Sequence, residues 1–226
     1  GMAGEDGRRA GDDAMSGFNG YVTAMIEERR ARRRDDLLSA LIDAEEAGER
    51  LSPAELVAMV VQLIFAGHET TQNLMGNGMF RLLRHPDQLA LLRAQPDLIP
   101  AAIEEMLRYD PPITFTSRIV RADTEIDGIP VAADQLVMLN LTAGNHDPKR
   151  FAQPARFDVT RADVRPLSFG HGMHFCLGAN LARLEAEVAF STLLRRYGTI
   201  TEVGASDWTS YTPLRGRQRL DLIFSD

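Results

Sequence analysis

The only cysteine of this 226-residue chain lies in a glycine-rich loop that leads directly into a helical pattern. The loop spans residues 169–178 and reads Phe-Gly-His-Gly-Met-His-Phe-Cys-Leu-Gly, with Cys176 near its end. A single cysteine excludes an internal disulfide bond and a zinc site built on a cysteine pair. Two interpretations remain: a small buried hydrophobic residue without chemistry, or a thiolate that binds a metal or acts as a nucleophile.

The residues around Cys176 favour the reactive interpretation. Gly170, Gly172 and Gly178 suit a tight turn that needs positive φ or the close approach of a flat ligand. Beyond the loop, apolar residues recur at the spacing of a helix that begins near Ala179: Leu181, Leu184, Val188, Ala189 and Leu193. Cys176 would then lie where unpaired N–H groups and the positive end of the helix dipole stabilise a thiolate.

A second segment predicts a long helix in the centre of the fold. Ser52-Pro53-Ala54-Glu55 is a capping box with proline at the first helical position, and His85-Pro86 marks the end. The helix would run for roughly 30 residues, or about 45 Å. Its first half is apolar almost all round, which predicts a buried, central position. The apolar run is too short and too interrupted, by Gln62 and Gly67, to span a membrane.

The middle of this helix reads Ala66-Gly67-His68-Glu69-Thr70-Thr71, a costly sequence for a helix interior. One interpretation is a kinked core helix whose threonine hydroxyls bond back to carbonyls one turn earlier. The other is a functional groove, because a carboxylate in a helix core is unfavourable unless it is used.

Glu105 and Arg108 lie three positions apart on a predicted helix that two prolines end at residues 111 and 112. By spacing alone they form an ordinary surface ion pair. The next segment, residues 113–120, alternates as a strand, and Asp127-Gly128 predicts a hairpin turn within residues 125–130. The C-terminal tail, residues 210–224, is also predicted to form a hairpin.

These motifs together resemble those of the cytochrome P450 family, the haem-thiolate monooxygenases, and they follow one another in that family's order. The family pattern Phe-x-x-Gly-x-(His or Arg)-x-Cys-x-Gly is filled at every defining position: Phe169, Gly172, His174, Cys176 and Gly178. The resemblance implies a fold that is mainly α with small β-sheets (α+β), of which this chain is the C-terminal part. It also implies haem b as cofactor. Cys176 would be the axial iron ligand, His174 a donor to a haem propionate, and Phe169 would pack beneath the macrocycle.

The same resemblance gives roles to the central helix and to the residues that follow it. Ala66 and Gly67 would let the haem approach, as would Gly170 and Gly178 on the cysteine side. Glu69 and Thr70 would relay protons to the reaction centre. The remaining implied haem and substrate contacts are Arg118, for a propionate, and Ile113, Phe115, Tyr211 and Thr212, for substrate.

A structural network is implied on the cysteine side of the haem. It would join Glu105 and Arg108 to Arg156, which lies in the segment Pro154-Ala155-Arg156-Phe157. The network would hold the haem loop in position. One departure from the family is visible at residues 145–148, which read Asn-His-Asp-Pro where the family usually has Asn-Arg-Asp-Pro. We interpret it as a tolerated local change.

The resemblance covers residues 21–226, the C-terminal portion of the family's domain, and leaves its N-terminal half without a counterpart. Residues 1–20 are predicted to be disordered or a tag-derived start, because Gly1-Met2 is typical of a tag remnant before a start codon. Helices are predicted from Tyr21 to Arg34 and from Asp35 to Ala47, the second closed by Gly48. We expect a homodimer, with or without swapped elements, or a completing chain to cover the exposed apolar faces.

Charge and composition narrow the class of partner. The net charge of −7 argues against a nucleic-acid surface. The lack of a signal peptide and of an apolar run of membrane length predicts a soluble, cytoplasmic protein. The basic run at residues 29–34 is interpreted as a solvated helix face. The family resemblance implies a ferredoxin-type redox partner that docks near the cysteine loop, on Arg183, Arg195 and Arg196.

Three functional hypotheses follow. The first is a monooxygenase that inserts one atom of dioxygen into an apolar small-molecule substrate with electrons from the redox partner. The second is a truncated, non-catalytic remnant that holds haem weakly or not at all. The third is one half of a split protein that becomes an enzyme only when its partner completes it.

Overall fold

The computed structural model describes residues 5–47, 51–209 and 213–226, and the chain divides into two compact units after His68. The helices are α1 (Glu5–Ala31), α2 (Leu37–Glu46), α3 (Pro53–Arg84), α4 (Pro86–Ala94), α5 (Ile99–Tyr109), α6 (Leu141–Asn145) and α7 (Ala179–Arg196). The strands are β1 (Phe115–Ile119), β2 (Thr124–Ile126), β3 (Ile129–Val131), β4 (Leu136–Asn140), β5 (Thr199–Glu202) and β6 (Leu222–Ser225). The predicted fold class, mainly α with small β-sheets, is confirmed.

In the first unit, α1 and α2 pack around a small apolar core with the first half of α3. Its buried members are Val22, Ile26, Ile42, Leu56 and Val60. Arg30 and Arg33 of the basic run pair with the acidic side chains of α2, as in the 2.6 Å contact from Arg30 Nη2 to Glu45 Oε2. The basic run is therefore partly neutralised within the chain instead of facing solvent alone.

The first helix is longer than the sequence predicts. α1 begins at Glu5, whereas residues 1–20 are predicted to lack structure, and it ends at Ala31 before the predicted Arg34. No proline interrupts residues 5–31, so the residue that most strongly breaks a helix is missing from this segment. α2 begins after Asp36, whose carboxylate accepts the Ser39 N–H at 2.9 Å. Gly48, the predicted end of α2, lies outside the described residues.

The capping box that predicts the start of α3 is confirmed. The Ser52 N–H donates to Glu55 Oε2 at 2.8 Å, and the Glu55 N–H donates to Ser52 Oγ at 3.3 Å. The prediction that the first half of this helix is buried all round is wrong, because Met59, Ile64 and Phe65 are exposed. Leu56 and Val60 are the α3 residues buried in the first-unit core, and the half-buried Val57 and Val61 pack against it.

The three sheets of the second unit are antiparallel pairs: β1 with β4, β2 with β3, and β5 with β6. The predicted turn at Asp127-Gly128 is confirmed, since both residues have positive φ (51° and 78°) between β2 and β3. The predicted C-terminal hairpin is only partly correct. Trp208 and Arg217 form an isolated antiparallel bridge, but β6 pairs with β5, the strand that follows α7.

The main core lies in the second unit and contains side chains from the second half of α3, from α5 and from α7. Its largest buried members include Leu74, Leu82, Ile103, Met106 and Phe190. The helix predicted after the cysteine loop is confirmed as α7. Three of the apolar residues that predicted it are nevertheless more than half exposed: Leu181, Leu184 and Val188. Within the described ranges, none of the helices has both the length and the apolar character needed to cross a bilayer.

A glycine lets α3 approach the core of the second unit closely. A methyl group added at Gly78 would lie 2.5 Å from Met106 Sδ and 2.9 Å from Phe190 Cζ. Gly78→Ala is therefore expected to lower the free energy of unfolding by about 1–3 kcal/mol through overpacking. Gly76→Ala is the matched control on the same helix. Nothing lies within 4 Å of its added methyl, so it should stabilise the chain by up to about 1 kcal/mol. Equal effects of the two variants in urea unfolding would contradict this packing.

Candidate functional site

The cysteine loop is built from two 3-10 turns, Leu167–Phe169 and Gly172–His174, followed by α7. Gly170 and Gly172 both have φ of 72°, so the predicted need for positive φ is confirmed at these two positions. Gly178 has φ of −86° and open space around an added methyl group, so positive φ does not require glycine there, and the close approach of a flat ligand stays a prediction at this position. The two left-handed glycines reverse the chain on either side of His171 and bring the loop back to the helix start.

Cys176 is carried just ahead of the N-terminus of α7. Its N–H donates to the Phe169 carbonyl at 2.9 Å, and its own carbonyl accepts the Ala179 N–H at 3.3 Å. Cys176 is exposed, which rules out the interpretation of a small buried hydrophobic residue. The positive end of the α7 dipole is therefore next to an accessible thiol, as the sequence predicts.

Apolar side chains surround this thiol and face solvent. Met173 is 94% exposed, Phe175 51% and Leu177 87%. Large apolar side chains grouped on one loop are unfavourable in water, so their grouping here indicates a surface that another apolar group covers. A flat macrocycle above a single thiolate would do so, and these residues fit such a cofactor.

Arg183, in the second turn of α7, contacts Phe169 at the start of the cysteine loop. Its guanidinium carbon lies 4.5 Å from the centre of the Phe169 ring, and it binds Glu104 of α5 at 2.5 and 3.1 Å. The hydrogen bonds to Glu104 raise the pKa of Arg183, and attraction to Cys176 adds to this. The guanidinium therefore stays charged near the thiol. Of the three arginines predicted to dock a redox partner, Arg195 and Arg196 are exposed, whereas Arg183 is half-buried in this pair.

The two predicted propionate donors are both exposed. His174 ends the second 3-10 turn of the loop. Arg118 lies on β1 and donates to Thr116 Oγ1 at 3.0 Å and to the Ser117 carbonyl at 2.7 Å, both on its own strand. Its guanidinium is thus held by local contacts that a stronger acceptor would replace at little cost.

Glu105 and Arg108 form a buried pair. Arg108 Nε and Nη2 donate to the two Glu105 oxygens at 2.7 and 2.8 Å, and both side chains are fully buried. The pair predicted from spacing is confirmed, but the interpretation as an ordinary surface pair is wrong. The remaining Arg108 donors bind the backbone carbonyls of Asn145, Pro154 and Arg156 at 2.9–3.1 Å.

The third member of this network is Arg161, not Arg156 as predicted. Arg161 Nε donates to Glu105 Oε2 at 3.1 Å, and the Arg161 side chain is 12% exposed. The Arg156 side chain is 60% exposed and lies 3.8 Å from Asp158. The reason is a turn at residues 158–160, where the Asp158 N–H donates to Glu105 and directs the following residues inward.

Arg156 and Arg161 lie only five positions apart, but their replacement should affect the free energy of unfolding differently. Arg161→Ala is expected to lower the free energy of unfolding by about 1.5–3 kcal/mol, because it removes a charge-assisted hydrogen bond from a buried carboxylate. Arg156→Ala should change it by less than about 0.5 kcal/mol. Urea unfolding of both variants measures this, and the opposite ranking would restore Arg156 to the network.

Asn145 and Ser168 connect this network to the cysteine loop, and sequence reasoning missed both. Arg108 binds the carbonyl of the fully buried Asn145. The Asn145 amide donates to Ser168 Oγ at 3.0 Å, and its oxygen accepts the Leu167 N–H at 2.7 Å. The first 3-10 turn of the loop is therefore fixed to α5 through α6. The only sequence signal was the asparagine of the altered Asn-His-Asp-Pro segment.

The predicted groove residues lie on an uninterrupted stretch of α3. Ala66 and Gly67 are exposed in the first unit, and Glu69 and Thr70 are half-buried at the start of the second. An added methyl at Gly67 would meet nothing within 4 Å. Of the predicted substrate positions, Ile113 bridges to Leu214 and Phe115 begins β1. Tyr211 and Thr212 lie outside the described residues.

Comparison with known proteins places these features in one family. The family model for cytochrome P450 matches residues 4–97 and 93–216. The chain is 45% identical to cytochrome P450 107B1 of Saccharopolyspora erythraea over 204 residues, which are 88% of this chain and 50% of that protein. The chain spans about half the length of the curated relatives that it matches.

Solved structures agree. Myxobacterial cytochrome P450 CYP267B1, solved with myristic acid, superposes with a TM-score of 0.94 at 40% identity, covering 99% of this chain and 56% of that one. P450BioI, solved with an acyl carrier protein that carries hexadec-9Z-enoic acid, superposes with a TM-score of 0.93 at 36% identity. The match covers 99% of this chain and 58% of that one. In both cases the chain covers little more than half of the solved structure.

Proposed function

Because this chain belongs to the cytochrome P450 family, we propose that it binds haem b through Cys176 and acts as a monooxygenase. The substrate would be an apolar small molecule, and the electrons would come from a ferredoxin-type partner. The observation that carries this proposal is the exposed thiol of Cys176, held next to the α7 N-terminus inside a group of exposed apolar side chains. Haem held by an axial thiolate supplies the oxygen-activating chemistry.

The protein's part on the Cys176 side is to hold the sulfur in place next to positive charge. The N-terminus of α7 and the charged Arg183, which pairs with Glu104, both lie beside the loop. The buried Glu105–Arg108–Arg161 network holds the loop from below through Asn145 and Ser168. These residues position the ligand, whereas His174 and Arg118 would neutralise the propionates.

On the α3 side of the proposed site, Glu69 and Thr70 would deliver protons. A carboxyl and a hydroxyl on neighbouring helical positions suit a short relay, in which Glu69 exchanges protons with solvent and Thr70 passes them on. Both are half-buried, so each keeps limited contact with water. Ala66 and Gly67 would leave room for the cofactor, since neither carries a side chain larger than a methyl group.

The test of this function is a turnover assay of the full chain loaded with hemin. Ferredoxin, its reductase, NADPH and myristic acid as an apolar probe would be added, and hydroxylated acid measured by mass spectrometry. Product that depends on NADPH and disappears with Thr70→Ala supports the monooxygenase. A chain that binds haem through its thiolate yet gives no product would support the non-catalytic remnant.

One observation favours a second candidate, in which the chain is a half that needs completing. Exposed apolar side chains are grouped on α7 (Leu181, Leu184, Val188) and on the first half of α3 (Met59, Ile64, Phe65). Such groups are typical of surfaces that pack against protein. Sedimentation equilibrium of the chain alone tests this candidate. A homodimer or higher assembly that dissociates with Leu184→Lys supports it. If the chain is a stable monomer, a separate chain would have to cover these apolar side chains.

A further inference from the structure

The second unit contains a cleft of about 680 Å³ at the ends of α3 and α5. Its polar lining comes mainly from Arg81, Tyr109, Asp110, Asn140, His146 and Arg215. No described residue of the cysteine loop lines it, so the cleft is separate from the thiolate site. Its volume is in the range of small-molecule sites.

Two guanidiniums in this cleft share a single carboxylate. Arg81 and Arg215 both use Nε to bind Asp110, one on each oxygen, with the Arg215 contact at 3.2 Å. The Asp110 side chain is 8% exposed, and each of its oxygens accepts from one of the two arginines. The terminal nitrogens of both arginines donate to no other side chain or carbonyl in the described part of the chain. They remain available to an anion.

Two more arginines raise the positive charge beside the cleft. Arg217 lies 3.4 Å from the centre of the Phe80 ring, and Arg84 binds Glu202 at 2.9 Å. Burial lowers the pKa of Arg217, and repulsion from Arg81 and Arg84 adds to this, whereas attraction to the carboxylates of Glu202 and Asp110 opposes it. Four guanidiniums thus surround two carboxylates, in a chain whose net charge is −7. A local excess of like charge is unfavourable by itself, and a bound anion would relieve it.

Aromatic rings hold these guanidiniums in place. Arg215 lies 3.7 Å from the centre of the Trp208 ring, and Arg81 lies 5.1 Å from that of Tyr109. Stacking fixes the plane of a guanidinium, so less conformational entropy is lost when it binds a planar or tetrahedral oxyanion. The amide nitrogen of Asn140 is a further donor, because its oxygen already caps α6 by accepting the Ala143 N–H.

We propose that this cleft binds the carboxylate or phosphate group of a small organic anion between Arg81 and Arg215. The donors are recessed in a cavity, which suits a small molecule better than the surface of an acidic protein. This binding does not depend on haem or on the monooxygenase proposal. The remaining volume of the cleft, next to Tyr109 and Thr142, would take the body of the molecule.

Trp208, the only tryptophan in the chain, reports on this site because it contacts Arg215 and Arg217. We expect pyrophosphate or citrate to change its fluorescence saturably, while sodium chloride at equal ionic strength does not. A response to only one of them would identify the phosphate or the carboxylate as the preferred group. Arg215→Gln should weaken binding by about tenfold or more, since a charge-assisted contact is lost. Arg165→Gln, on an exposed arginine that does not line the cleft, is the control and should leave binding unchanged.

A second measurement uses the unaltered chain and so does not depend on a variant folding. Phenylglyoxal modifies accessible arginines, and mass spectrometry locates the products. Pyrophosphate should protect Arg81 and Arg215 but not Arg165. Equal modification with and without the anion, or a chloride response equal to that of pyrophosphate, would overturn the proposal.

Discussion

Replacing Cys176 by alanine is expected to lower the affinity of the chain for hemin by more than about tenfold, because the proposed axial ligand is removed. Cys176 is exposed and makes only backbone hydrogen bonds in the described structure, so the folding of the chain should be unaffected. Hemin titration followed by absorbance measures the affinity, and circular dichroism checks the fold. Cys176→Ser, which keeps the size of the side chain but removes the sulfur, should lower the hemin affinity as much as the alanine variant does.

The matched control is His171→Ala. His171 is exposed in the same loop, between the two left-handed glycines, and has no role in the proposed site. Its removal should leave hemin affinity unchanged. If the alanine variants at 171 and 176 lost affinity equally, the loop would bind hemin through general apolar contact, and Cys176 would not be the ligand.

Replacing Glu105 by alanine should be the most destabilising single change in the network. The Glu105 carboxylate accepts from Arg108 twice, from Arg161 and from the Asp158 N–H, all at 2.7–3.1 Å. Without it, the fully buried Arg108 keeps its charge but loses its counter-ion, which costs about 3–5 kcal/mol. The free energy of unfolding in urea measures this loss.

Glu104 provides the control for this prediction. It is the preceding residue on α5 and also pairs with an arginine, but the Glu104 and Arg183 side chains are 22% and 34% exposed. Glu104→Ala should therefore cost no more than about 1 kcal/mol. A loss at Glu105 as small as that at Glu104 would mean that the buried network does not support the fold.

The features that the sequence predicted correctly are governed by neighbouring residues. The capping box at Ser52 and Glu55 is closed within four positions, and the turn at Asp127-Gly128 needs only the local tolerance of positive φ. The Glu105–Arg108 pair follows in the same way from helical spacing, and its bidentate geometry within one helix turn is what that spacing allows.

The features that the sequence did not predict depend on what packs against a residue. Arg156 and Arg161 have the same chemistry, and only the turn after Phe157 decides which one reaches Glu105. The apolar pattern of α7 correctly indicated a helix but not its buried face, since Ala186, Phe190 and Leu194 pack inward while Leu181 and Leu184 do not. Periodicity identifies an apolar face, whereas its covering is a tertiary property.

The absorption spectrum of the hemin-loaded chain, reduced and exposed to carbon monoxide, tests the central claim most directly. If Cys176 binds the iron as thiolate, the Soret band of the carbonyl complex will be strongly red-shifted, and Cys176→Ala will lack that band. A carbonyl complex without the red shift, or a chain that takes up no hemin, would contradict a thiolate site formed by this chain.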